Sequence, residues 1–85
     1  GPADLSVSIG ATGPAGQEKL HKAIETITAA ALKAGRAVGI FRPTADDIGR
    51  WRGIGISFYL LASDTMFLGA AVAGGIAKAR ASAET

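Results

Sequence analysis

Two short, uninterrupted apolar runs constrain the fold of this chain most: AVGIF at 37–41 and ISFYLLA at 56–62. Runs of this length, bounded by glycine and proline, are typical of strands that are buried on both faces. Strands joined through a helix over more than about ten residues pair in parallel. The sequence therefore predicts an α/β fold with adjacent parallel strands. Because a pair of parallel strands does not make a domain, we expect the chain to be part of a larger α/β unit.

A short helix is predicted between the strands, from Thr44 to about Arg52. Thr44 offers an N-cap oxygen, and the carboxylates of Asp46 and Asp47 would lie in the positive first turn. Glycine residues at 53 and 55 would end the helix.

Apolar residues spaced by three and four predict an amphipathic helix from about 17 to 34, with Gly35 as its left-handed C-cap. Its apolar face would comprise Leu20, Ile24, Ile27, Ala31 and Ala34. The glycine-rich stretch GATGPAG at 10–16 is predicted to be a loop.

A last helix is predicted from about Thr65 to Arg80, capped by Ser63 or Asp64. Its segment MFLGAAVAGGIA carries no charged side chain on any face, so we expect a second subunit or domain to cover what its own domain leaves exposed. The surrounding stretch 59–79 has the length of a membrane span, but Asp64 lies in its first third, which favours a buried segment over a membrane helix.

Composition excludes several functional classes. The chain has 85 residues, no cysteine and a net charge of +2, and its nine basic residues are spread along its whole length. A disulfide framework is therefore ruled out, and no basic stripe or aromatic platform suggests nucleic-acid binding. The sequence shows no signal-peptide pattern, so we expect a cytoplasmic protein.

The first six residues, GPADLS, allow two interpretations. Gly-Pro is a common remnant of protease cleavage, and an aspartate after a proline is typical of a turn or a cap. The alternative is that Asp4 belongs to an active-site loop.

GPADLSVSIGATG, followed by a helix, AVGIF, and FYLLASDTMFL with its small-residue helix, resembles the C-terminal third of the HpcH/HpaI aldolases. These are metal-dependent pyruvate aldolases of the 4-hydroxy-2-oxo-heptanedioate type. The resemblance implies a TIM (β/α)8 barrel whose active site lies at the C-terminal ends of the strands. Residues 1–85 would be the C-terminal segment of that barrel domain, about strands six to eight, and the chain would begin inside the barrel.

The resemblance also implies site roles. Asp4 would be one of two carboxylate ligands of a divalent metal ion (Mg, Mn or Co) and part of the substrate-binding site. The backbone N–H of Ala3 would receive the pyruvate carboxylate. Phe41 would line the substrate pocket, although plain core packing accounts for it equally well. No catalytic residue is expected within this chain, because the family's base and second metal ligand lie upstream.

Other polar residues receive structural interpretations. His21 is predicted to face solvent on its helix, and Asp64 to cap the last helix. Arg42 departs from the apolar residue that the family pattern suggests, and we expect it to touch an acidic or hydroxylated substrate.

The resulting hypothesis is a fragment of a metal-dependent lyase that cleaves 4-hydroxy-2-oxo acids to pyruvate and an aldehyde, inactive by itself. The resemblance implies a domain-swapped homohexamer as the assembly. The alternative is a small non-catalytic protein that associates through its last helix, with or without a membrane, since GAAVAGGIA would let helices approach closely.

Overall fold

A computed structural model describes residues 1–84. Five helical segments and two strands follow one another along the chain. They are α1 (Pro2–Ser8), a 3-10 turn (Pro14–Gly16), α2 (Gln17–Lys33), β1 (Gly39–Arg42), α3 (Ile48–Gly53), β2 (Phe58–Leu61) and α4 (Asp64–Ala83).

The two strands pair in parallel, from Gly39 opposite Phe58 to Arg42 opposite Leu61. The predicted parallel pairing is therefore confirmed. The carbonyl of Arg42 also accepts a hydrogen bond of 2.8 Å from the backbone N–H of Ala62, which ties the ends of both strands together. Ala62 adopts a left-handed backbone with a φ of 52°, a conformation that is costly for a residue with a Cβ.

The core lies where α2 and α3 meet the sheet. Its buried apolar side chains are Ala11, Leu20, Ile24, Ile40, Trp51 and Ile56. Helix α2 lies where the sequence predicts it, and Gly35 follows it with a φ of 75°, as expected for a helix that ends in a left-handed turn. The buried face differs in detail, since Thr28 is fully buried while Ile27 is about half exposed.

Two predictions about α3 and the strands are wrong. Helix α3 begins at Ile48 with Asp47 as its N-cap, and the Thr44 hydroxyl donates to the Asp46 carboxylate instead of capping the helix. Its start is delayed because the Asp47 carboxylate is held by Arg42. The strands are not buried on both faces, because nothing within residues 1–84 covers the face that carries Phe58 and Leu60.

Helix α1 is an element that the sequence pattern did not predict. Pro2 stands at its first turn, where a missing N–H removes no intrahelical hydrogen bond, and Asp4 adds a favourable negative charge at the same end. The motif GPADLS is thus largely helical.

Helix α4 is the longest element, with 20 residues, and none of them is buried. Its N-cap is Ser63, whose hydroxyl accepts a 3.2 Å hydrogen bond from the backbone N–H of Met66. Of the two predicted caps, Ser63 and Asp64, Ser63 is therefore confirmed. Asp64 is the first helical residue, and its carboxylate accepts from the N–H of Thr65. No helix in the part of the chain that the structure describes is long and apolar enough to cross a membrane.

Candidate functional site

A groove of about 380 Å³ lies between α1, the start of α2 and the end of β1. Ala3 lines one wall, and Phe41 lines the opposite wall next to Arg42 and Pro43. Two residues that the resemblance assigns to a substrate site, far apart in sequence, therefore share one groove. Its remaining lining residues are Pro2, Ser6, Gln17 and Leu20.

Ala3 lies in the first turn of α1, where backbone N–H groups have no intrahelical acceptor. The first helical hydrogen bond runs from the N–H of Leu5 to the carbonyl of Gly1, so the amide of Ala3 precedes it. The hydroxyl of Ser6 donates to the Ala3 carbonyl at 2.7 Å and closes this turn. The geometry leaves the Ala3 amide available for an anionic ligand.

Asp4 is exposed on α1 and is not among the residues that line the groove. Its carboxylate makes no ion pair or hydrogen bond with any residue of 1–84. No group of three or more His, Cys, Asp or Glu side chains in that range could hold a metal ion. A free carboxylate fits one ligand position of a hard divalent cation, but the described residues do not complete a coordination sphere.

Arg42 does not reach freely into the groove. Its Nε donates to Oδ1 of Asp47 at 3.0 Å and its Nη2 donates to Oδ2 at 2.5 Å. The guanidinium also lies 5.5 Å from the ring centre of the buried Trp51. Arg42 lines the groove, but its charge and its forked edge are paired with Asp47, so its contact with a substrate stays a prediction.

The surroundings of Asp47 lower the pKa of its carboxyl group. Burial by itself would raise this pKa, but the hydrogen bonds and charge of Arg42 outweigh it. Nε1 of Trp51 is buried without a well-aligned acceptor among the described residues, so we attribute the lowering to Arg42.

His21 is not the solvent-facing residue that the sequence predicts. Its side chain is only 14% exposed, its ring centre lies 5.1 Å from that of Trp51, and its Nε2 lies 3.7 Å from the Glu25 carboxylate. The prediction failed because Trp51, distant in sequence, packs against this position of α2. The aromatic pair is a structural contact and stands outside the groove.

The chain is similar in sequence to three aldolases. A hydroxypyruvate/pyruvate aldolase of Delftia acidovorans is 35% identical over 85 residues, which is the whole chain and 32% of the relative. The resemblance to HpcH/HpaI-type aldolases is confirmed. A 5-keto-4-deoxy-D-glucarate aldolase of Klebsiella pneumoniae is 36% identical over 64 residues, covering 75% of this chain and 25% of the relative.

The chain resembles the C-terminal part of these aldolases and spans about a third or less of their length. A second hydroxypyruvate/pyruvate aldolase, from Paraburkholderia phytofirmans, is 38% identical over 68 residues, with 80% of this chain and 26% of the relative covered. No family model matches the chain, and no solved structure is significantly similar to it.

Proposed function

We propose that residues 1–85 form the C-terminal part of an aldolase that cleaves 4-hydroxy-2-oxo acids to pyruvate and an aldehyde. The observation that carries the proposal is the shared groove. Similarity to named aldolases runs along the whole chain, and two of its three candidate substrate-binding residues, Ala3 and Phe41, line one cavity at the carboxyl end of β1. Active sites of (β/α)8 barrels lie at that end of the strands. The barrel itself, of which β1 and β2 would be two strands, belongs to the proposal.

Within this groove, the Ala3 amide would bind the carboxylate of the 2-oxo acid. The N–H groups at the start of α1 lack intrahelical partners, and an anion satisfies them. Phe41 is partly exposed on the opposite wall and would pack against the aldehyde half of the substrate. The apolar ring would exclude water from the reacting carbon atoms.

Asp4 would hold a divalent metal ion (Mg, Mn or Co) together with a second carboxylate from outside the chain. Its carboxylate is unpaired within residues 1–84, and carboxylate oxygens are the ligands that such cations prefer. A bound metal ion would supply positive charge where the ketone oxygen of the 2-oxo acid becomes negative. The proton-transferring base would also lie outside these residues, so we expect this chain alone to be inactive.

The decisive experiment replaces Asp4 by Asn in the full-length enzyme. We expect the loss of most metal-dependent aldol cleavage, at least about a hundredfold in kcat, because a neutral amide is a poorer ligand for a hard cation. The matched control is Asp46→Asn, which makes the same change at an exposed loop position. Turnover and metal affinity near those of the unmodified enzyme would assign Asp4 to a turn and contradict the proposal.

Helix α4 favours a second proposal, that the protein is a homo-oligomer. Large apolar side chains stand exposed around this helix, including Phe67, Leu68 and Val72. We propose a homohexamer located in the cytoplasm, in which α4 packs against a neighbouring subunit. A non-catalytic helix-association protein is the rival explanation of the same surface. The mass of the natural protein separates the two, since a barrel subunit has about 250 residues whereas this chain has a mass of 8.5 kDa.

A further inference from the structure

The end of β1 is held from two sides. Successive side chains of a strand point to opposite faces, so Ile40 and Arg42 share one face while Phe41 points to the other. Ile40 is buried in the core between the sheet and the helices, which places the Arg42 side chain on the helix side. Phe41 therefore projects from the opposite face of the sheet to Arg42, and both residues line the groove where β1 ends.

Arg42 is the anchor. Its forked pair with Asp47 joins the last strand residue to the N-cap of α3 and closes the loop of residues 43–46. The side chains of the pair are 20% and 34% exposed, and the guanidinium lies over the ring of Trp51, so the pair is partly shielded from water. The Arg42 carbonyl is fixed as well, by the N–H of Ala62.

Phe41 and Pro43 flank this fixed residue, and both line the groove. A shift of Arg42 would move both together, because they are its immediate neighbours along the backbone. Neither the Asp47 carboxylate nor the Trp51 ring lines the groove itself. Arg42 itself is part of the groove wall, whereas Asp47 acts on the groove only through Arg42.

We propose that Arg42 is a positioning residue whose ion pair with Asp47 sets the width of the groove at Phe41 and Pro43 and thereby selects the aldehyde by size. The inference rests on the proposed aldolase function and adds a specificity determinant to it. It concerns the aldehyde half alone, since the Ala3 wall belongs to α1, which Arg42 does not hold.

The test measures aldol addition of pyruvate to acetaldehyde and to benzaldehyde by the full-length enzyme. We expect Arg42→Met and Asp47→Asn each to change the ratio of the two kcat/KM values by about tenfold or more, the range in which small changes of a pocket alter discrimination. The change should appear in KM for the aldehyde, while KM for pyruvate stays within about twofold because the opposite wall is untouched. The double variant should be no worse than either single variant, because both remove the same interaction.

The matched control is Arg50→Met. Arg50 also lies near Trp51, at 5.8 Å from its ring centre, but it is half exposed and is absent from the groove. We expect this control to leave the ratio unchanged. Exchange of the charges, with Arg42→Asp and Asp47→Arg combined, should restore part of the original ratio.

Equal losses for both aldehydes in Arg42→Met and Asp47→Asn would overturn the inference and leave a purely structural ion pair. If Arg42→Met does not fold, the nearly isosteric Asp47→Asn carries the same test. An active wild-type enzyme with an unaltered ratio in Asp47→Asn refutes the positioning role alone. A full-length wild type that adds pyruvate to neither aldehyde overturns the proposed function and this inference with it.

Discussion

Helices α2 and α4 are of similar length, yet they relate to the rest of the chain in opposite ways. Helix α2 buries Leu20, Ile24 and Thr28 against its neighbours, whereas α4 buries nothing. The difference lies in the sequence pattern, since apolar residues of α2 recur at spacings of three and four, while those of α4 surround the whole helix. The apolar face of α2 packs within residues 1–84, whereas the apolar surface of α4 could be buried only by residues outside that range.

The sharpest test of this contrast removes one large side chain from each region. Trp51 is 5% exposed at the centre of the core, so Trp51→Ala should lower the free energy of unfolding by about 3 to 5 kcal/mol. Val72→Ala on α4 should cost less than about 1 kcal/mol if the helix is uncovered, because its side chain is half exposed. Urea unfolding of the two variants under identical conditions measures both values. A comparable loss in Val72→Ala would show that α4 is packed against something outside the described residues.

A charge on α4 tests whether a neighbouring subunit provides that cover. If α4 lies in an interface, Ile76→Asp should dissociate the oligomer, because burying an apolar side chain of this size contributes about 1.5 to 3 kcal/mol and a buried charge reverses that gain. Sedimentation velocity at micromolar concentration gives the answer, with Lys78→Asp as a control that changes an already charged position. A wild type that sediments as a monomer would contradict the proposed oligomer.

The backbone at the ends of the two helices can also be compared, at Ala62 before α4 and at Gly35 after α2. Its left-handed backbone favours glycine, so Ala62→Gly should raise the free energy of unfolding by about 1 kcal/mol. Gly35 has the same type of backbone after α2 with open space around its Cα, and Gly35→Ala should lower stability by a similar amount, about 1 kcal/mol. Thermal unfolding compares the two. Opposite signs are expected, and a destabilised Ala62→Gly variant would contradict this explanation.

The smallest expected effect is the pH dependence of stability that comes from Asp47, next to the core. The pKa of Asp47 is lowered below its ordinary value of 3.8, so its contribution to stability is complete above that pH. As the pH falls through the lowered pKa, the carboxylate is protonated and the contribution is lost. Asp47→Asn should therefore be less stable than the wild type at pH 6, with the difference shrinking below about pH 3.8. A difference that is independent of pH would contradict the ion-pair explanation.

Much of the fold follows from local pattern. The extent of α2, the parallel pair and the Ser63 cap depend on periodicity, connection length and a side chain close to its own helix. The start of α3 and the burial of His21 could not be predicted from such local patterns. Each depends on a contact with a residue on another element, Arg42 in one case and Trp51 in the other.

The candidate site shows the same division. Resemblance to a family brought Ala3 and Phe41 to attention, but only the three-dimensional arrangement places them on one groove. The ion pair at the groove wall joins the last residue of β1 to the N-cap of α3, five positions along the chain, and their charges alone do not reveal that they meet. Asp4 gains no partner from the described structure, because a metal site needs ligands that these residues lack.

The absence of buried residues along α4 also affects how this helix forms. Helices in proteins gain most of their stability from packing, and α4 includes glycines at 69, 74 and 75, each of which costs about 1 kcal/mol relative to alanine. The helical conformation of α4 is then stabilised mainly by the surface that packs against it. For a helix that docks on a second copy, the helical content seen by circular dichroism would rise with protein concentration, so that assembly and secondary structure form in a single event.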